Sequence, residues 1–327
     1  PRAAHHLPPG HSHLRRATAY AAVPARPCVS VLKGTIMSTV LAYTSPAIGD
    51  LYPMTPLLIE LHRRGHEVHV RTLGDRVALM RGLGLRAEPI DSRLRDTVHH
   101  DWEAKGPVGG LKASVRTFAD RGRIDGPDLE QAIDRTRPDV VICDVNAWGA
   151  SLVAEAWGGP WAFLSPYTPP LRSRGTPPFG PGLAPMSGPV GRLRDAVVRP
   201  LVTGAAERVM RPRINELRAH HGLGPIHSAD EFLRRADLML VTTSEPFEYP
   251  HPDWGDRIRM IGALPWEPPT EVPGWLEEID GPMVLVSTSS EYQADEALVR
   301  TAAEGLGDEP FTVVATMPAG LSDVGPL

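Results

Sequence analysis

The chain has 327 residues, a formal net charge of -5 and a pI near 6.2. That is length enough for two domains, and no basic surface of the kind nucleic acid requires. The two cysteines, Cys28 and Cys143, build no disulfide framework and neither stands in a metal-ligand spacing, so a reducing, cytoplasmic setting without a metal centre is expected. No apolar run approaches the roughly 18 residues of a membrane-spanning helix.

Residues 1–36 hold four His (His5, His6, His11, His13), scattered Pro and no apolar period. The stretch after Arg15–Arg16 is too short and interrupted for a signal peptide. We expect a disordered extension, with the ordered chain beginning at Met37.

From Ser38 to Leu73 the pattern is strand, loop, helix, turn, strand. Thr39–Tyr43 is a short β-prone run, and Thr44–Asp50 carries the breakers Pro46 and Gly49. Leu51–Arg64 places Met54, Leu57, Leu58 and Leu61 on one helical face. Pro53 suits a first helical turn, and Arg63, Arg64 and Gly65 suit a last one. Val68, Val70 and Thr72 alternate as a second strand. The unit is βαβ, its strands are parallel, and ligands meet such a unit at the carboxyl end of the first strand. Asp50 stands there. It reads either as a helix cap or as a base at the mouth of the sheet. The loop lacks G-x-G-x-x-G, so the nicotinamide or flavin fingerprint is absent.

Farther along, Asp75–Leu83 is a short helix and Ala87–Ile90 a third strand. Thr97–Gly110 is a loop, and Leu111–Phe118 and Pro127–Thr136 are separate helices. Val140–Cys143 is apolar on both faces, as a central parallel strand must be, and it ends at Asp144. Ala150–Trp157 is a helix and Trp161–Leu164 another buried strand. Asp144 therefore ends a strand on the same sheet edge as Asp50. It reads either as that acid's partner or as an acid bonding the amides of the next loop. Pro166–Gly191 is rich in Pro and Gly, and a loop this long inside a domain is usually functional or disordered. Its Tyr167 and Phe179 line an apolar site or pin the loop. Leu193–His221 is helical with breaks at Pro200 and Pro212. Ala229–Arg235 is a short helix, Leu238–Thr242 a strand, and Arg257–Gly262 carries the chain out. After the stiff stretch Pro265–Pro273, a second βαβ start follows: Met283–Ser287, a polar loop with Ser289 and Ser290, Glu296–Leu306 and Phe311–Thr316.

These features in this order resemble the UDP-glycosyltransferases of natural-product and macrolide type. Four stretches carry the resemblance. They are Gly49-Asp50-Leu51-Tyr52-Pro53 continuing through Arg64-Gly65-His66-Glu67-Val68; Pro138-Asp139-Val140-Val141-Ile142-Cys143-Asp144 followed by Gly149 and Gly159-Pro160; Met260-Ile261-Gly262; and Pro282-Met283-Val284-Leu285-Val286-Ser287. The resemblance implies an α/β architecture of two facing Rossmann-like domains. Residues 37–262 would be the acceptor domain, 263–281 a linker, and 282–327 the start of a nucleotide-sugar domain whose donor motif lies beyond Leu327, as in a truncated enzyme.

The resemblance further implies transfer of a sugar from a nucleotide-diphosphate co-substrate to a hydroxyl of a small, largely apolar acceptor, with inversion and with no metal or other cofactor. Asp50 would be the base where most members carry His, and Asp144 its partner. Trp148, Tyr167 and Phe179 would meet the acceptor, and Ser289 and Ser290 the donor phosphates. The alternative is an inactive acceptor-binding or partner protein derived from such an enzyme. Nothing in the sequence sets the oligomeric state.

Overall fold

In a computed structural model describing residues 37–186, 188–289 and 293–316, seven strands form one sheet. They are β1 (Thr39–Tyr43), β2 (Glu67–Thr72), β3 (Arg86–Pro89), β4 (Val140–Asp144), β5 (Trp161–Ser165), β6 (Leu238–Val241) and β7 (Ile258–Met260), in the order β3-β2-β1-β4-β5-β6-β7. Every neighbouring pair is parallel. The helices are α1 (Ile48–Arg63), α2 (Val77–Gly82), α3 (Arg93–Asp96), α4 (Gly106–Thr136), α5 (Trp148–Trp157), α6 (Gly188–His220), α7 (Ala229–Leu233) and α8 (Glu296–Leu306). A separate parallel pair, β8 (Met283–Ser287) and β9 (Thr312–Thr316), follows the proline-rich stretch.

Alternation along the strands sorts side chains into two cores. Val40, Ala42, Val68, Val70, Ile142 and Leu164 pack with Leu51, Met54 and Leu58 of α1 and with Val77 and Met80 of α2. Leu41, Tyr43, Val141, Cys143 and Phe163 pack with Val115 and Leu129 of α4 and with Ala150 and Leu152 of α5. The result is three layers, helices on both faces of the sheet. The order reverses between β1 and β4, the two strands whose carboxyl ends lead to Asp50 and Asp144.

Several boundaries differ from the sequence reading. Helix α1 starts at Ile48, so Asp50 is its third residue rather than part of the preceding loop, and Pro53 and Pro56 lie inside the helix. Burial of Leu51, Met54 and Leu58 against the sheet outweighs two missing N–H donors. Thr97–Gly110 is not all loop, and α4 is one helix of 31 residues rather than two shorter ones. Gly122 and Gly126 within it are packing positions, not stops: a Cβ on Gly122 would lie 2.7 Å from Leu217 Cδ1, and one on Gly126 3.0 Å from His221 Nε2. Helix α6 likewise runs unbroken through Pro200 and Pro212, and it starts at Gly188 rather than Leu193. The stretch Arg257–Gly262 adds an edge strand, β7, where the sequence suggested only an exit. The extension expected over 1–36 lies outside the described residues. No described helix is long and apolar enough to cross a membrane.

Candidate active site at the sheet's carboxyl edge

The turn after β1 and the turn after β4 are tied together by one carboxylate. Asp144 is fully buried. Its Oδ2 accepts the backbone N–H of Ser45, and its Oδ1 accepts the Ser45 hydroxyl at 2.9 Å and the Asn146 backbone N–H at 2.7 Å. Burial pushes this carboxyl up to about 6, while the Ser45 and Asn146 donors pull the other way. Asp144 does bond the amides of its own following loop, as one of the two sequence readings held. It also bonds across to the β1 turn, which holds the start of α1 in place.

Asp50 enters from α1 and is 5% exposed. The N-cap position belongs to Ala47, so Asp50 is not the capping residue. It lies in the first helical turn, where the helix dipole favours negative charge. Asn146 Nδ2 donates to Asp50 Oδ1 at 3.1 Å and reaches Oδ2 at 3.4 Å. The other end of the same amide, Oδ1, accepts the Tyr167 hydroxyl at 2.6 Å. Tyr167 stands in the loop after β5; the residue is 46% exposed, while its hydroxyl donates inward to Asn146. Burial, and then the charges of Asp50 and Asp144, raise this phenol well above its ordinary value.

The structure thus brings Asp50, Asp144 and Tyr167 to one edge, joined through Asn146 and Ser45. Sequence reasoning named neither linker. A polar residue two places beyond a strand-end acid, and one in the opposite loop, were the available signals. Behind Asp144 lies Asp125 of α4, whose Oδ1 accepts the Ala150 N–H at 2.8 Å near the start of α5. Burial raises its carboxyl well above the usual range.

The remaining candidates have other surroundings. Trp148 is 4% exposed, its indole 5.3 Å from the Phe118 ring and 5.9 Å from that of Phe232. Phe179 is 62% exposed, at the rim of a cavity of about 480 Å³ that also includes Thr168, Pro169, Glu248 and His251. There the Thr168 hydroxyl donates to Glu248. Ser289 lies between β8 and α8, where its backbone N–H donates to Asp295 Oδ2 at 2.7 Å. Ser290 lies outside the described residues. No group of three or more His, Cys, Asp or Glu side chains placed to hold a metal occurs among the described residues.

No family model matches the chain. It is similar to 4'-demethylrebeccamycin synthase of Lentzea aerocolonigenes, with 31% identity over 295 residues, covering 86% of this chain and 70% of that protein. In fold it is similar to the glycotransferase of kitacinnamycin, with a TM-score of 0.58 and 21% identity over 90% of this chain and 69% of the other. It also matches the glycosyltransferase SsfS6 of Streptomyces sp. SF2575, solved with thymidine diphosphate, at a TM-score of 0.52 and 18% identity over 86% and 68% of the two chains. The parallel sheet with its switch point between β1 and β4, and a relative of this identity matched across most of both sequences, lead to one assignment: the chain belongs to the UDP-glycosyltransferase-like family of natural-product glycosyltransferases.

Proposed function

We propose that the protein transfers a sugar from a nucleotide-diphosphate sugar to a hydroxyl of a small, largely apolar acceptor, with inversion, and that Asp50 is the general base. The observation that carries this reading is the placement of Asp50 at the carboxyl edge of the sheet's switch point, with an amide donor directed at its carboxylate. In open parallel sheets, ligands bind in the crevice at this point. Asp50 takes the proton of the acceptor hydroxyl as that oxygen bonds to the anomeric carbon. The bond from that carbon to the diphosphate oxygen breaks, and the nucleoside diphosphate leaves with the electron pair. Base catalysis of this kind contributes roughly 10²–10⁴-fold, and much of the rest of the rate comes from holding two substrates in line.

Asp144 acts through the turn it braces, and its charge helps set the proton affinity of the site. Tyr167 and Phe179 border the acceptor side. Residues 37–262 serve as the acceptor domain, and the segment from 282, with Ser289 and Ser290, contributes to donor binding. The thymidine diphosphate in SsfS6 supports a nucleoside diphosphate as the leaving group. No further cofactor enters the reaction as written.

The test is Asp50→Asn in the full-length enzyme, assayed by acceptor mass shift against a panel of nucleotide sugars. Turnover is expected to fall by roughly 10²–10⁴-fold with little change in the unfolding midpoint. Near-parental turnover with a loss of stability would make Asp50 a structural acid. A parent inactive on every nucleotide sugar, yet binding acceptors, would favour a binding protein.

A further inference from the structure

We propose that Asn146 is a positioning residue that orients the Asp50 carboxylate, with the Tyr167 hydroxyl anchoring the other end of its amide. This inference rests on the reading of Asp50 as the base and goes beyond the pairing of Asp50 with Asp144.

Geometry carries it. The amide bridges two elements that have no sequence proximity: α1, which holds Asp50, and the loop after β5, which holds Tyr167. An Asn side chain has a donor end and an acceptor end. If the amide were reversed, its oxygen would face the Asp50 oxygens and its NH₂ would face the phenol. The Asp50 carboxylate, which when ionised can only accept, disfavours that reversal. Burial beside two acids keeps the phenol protonated, and its proton needs an acceptor. Asn146 Oδ1 is that acceptor at 2.6 Å, and the NH₂ is left pointing at Asp50. Asn146 is itself fixed, since its backbone N–H donates to Asp144 Oδ1 at 2.7 Å. One residue therefore reads the positions of both acids and of the loop.

The chemical consequence is specific. A hydrogen bond to the charged form of a carboxylate favours that form. On the same edge stand Asp144 of β4, whose carboxylate Asn146 also meets through its backbone N–H, and the phenol of Tyr167 from the loop after β5, which feels the charges of both Asp50 and Asp144; Asp125 of α4, behind Asp144, holds its proton more firmly than an ordinary carboxyl. Among these neighbours Asn146 supplies a direct donor that offsets the repulsion. Such a donor favours the charged form of the base and fixes the plane of its carboxylate.

The experiment compares Asn146→Ala, Asn146→Asp and Tyr167→Phe with the parent in the full-length enzyme, using kcat and KM across pH. A second readout is the carboxyl ¹³C titration of Asp50, assigned by its loss in Asp50→Asn. For Asn146→Ala we expect kcat to fall about 10-fold with KM within about twofold. The acid limb and the Asp50 titration should both move up by about one pH unit. Asn146→Asp should move them further, because it sets a second carboxylate beside the first. Tyr167→Phe removes only a hydroxyl from a half-exposed residue and should shift both in the same direction by less. A parental kcat, acid limb and Asp50 titration in Asn146→Ala would overturn the inference. If that variant does not fold, the same parental values in Tyr167→Phe overturn it. The NMR arm separates the two readings: full turnover in Asp50→Asn removes the base assignment, yet a shifted Asp50 titration in Asn146→Ala still shows that the amide governs that carboxylate.

Discussion

Gly149 has no room for a side chain. A Cβ there would lie 1.9 Å from Gly122 O and 2.3 Å from Asp125 Oδ1. The backbones of α4 and α5 touch at this point, which lets Asp125 reach the Ala150 amide. Gly149→Ala must push the helices apart or break that bond. We expect it to cost at least about 2 kcal/mol, read as a lower urea midpoint with an unchanged slope. Asp144→Asn is the companion prediction for the reacting edge. Its neutral side chain keeps one acceptor oxygen but places an NH₂ against either the Ser45 or the Asn146 donors. Turnover should fall less than in Asp50→Asn, and the acid limb of the pH–rate profile should move, because a buried charge beside Asp50 has gone.

At the scale of elements, α5 is gripped from two sides. Helix α4 meets it through the glycine contact, and α6 meets it through Arg218, whose guanidinium is 2% exposed. Arg218 Nη1 donates to Glu155 Oε2 at 2.6 Å, Nη2 to Oε1 at 3.0 Å, and Nε to the Gly224 carbonyl at 2.6 Å. This two-pronged pair holds the end of α6 and its following turn against α5. Arg218→Ala leaves Glu155 without that partner in a largely enclosed place and should destabilise by roughly 3–5 kcal/mol. Thermal unfolding of the single variant and of Arg218→Ala with Glu155→Ala checks this. The double variant should recover part of the loss, since most of it comes from stranding a charge.

For the whole molecule, buried titrating groups pull stability in opposite directions over one pH interval. Burial raises Asp144 to about 6 and Asp125 well above its ordinary value. Between the unfolded carboxylate value near 4 and these raised values, the native state holds protons the unfolded chain has released. Their contribution therefore falls as pH rises through that window. His99 behaves inversely: burial, helped by the Arg121 charge, lowers it to about 4. Below about 6.5 the unfolded chain takes up a proton that native His99 refuses, so this contribution is lost as pH falls. His221 and His251, also lowered by burial, act in the same sense as His99. His99→Gln should therefore raise the urea midpoint at pH 4.5 relative to that at pH 6.5, compared with the parent. Protection should be uneven as well. β5 is buried along its whole length, whereas β8 alternates between exposed and half-buried positions. Amides of β4 and β5 should exchange at least about 100-fold more slowly than those of β8 and β9, measured by hydrogen exchange.

The sequence by itself determined the strands and their face. Val140–Cys143, Trp161–Leu164 and the alternation of Val68, Val70 and Thr72 are local patterns of apolar side chains, and each gave a strand of the sheet. The ends of β1 and β4 lie side by side in the parallel sheet, and that Asp50 and Asp144 share one edge was legible from their places at strand ends. Helix continuity was not. Gly122, Gly126, Pro200 and Pro212 are breakers by local propensity, and only packing against other helices decides that the backbone runs through them. The tertiary structure alone decided that Trp148 is a core residue and that Asn146 lies between Asp50 and Tyr167. Asn146 is 96 residues from one partner and 21 from the other. A hydrogen bond of about 3 Å depends on where three separate elements place their side chains, and no period or spacing in the sequence encodes that.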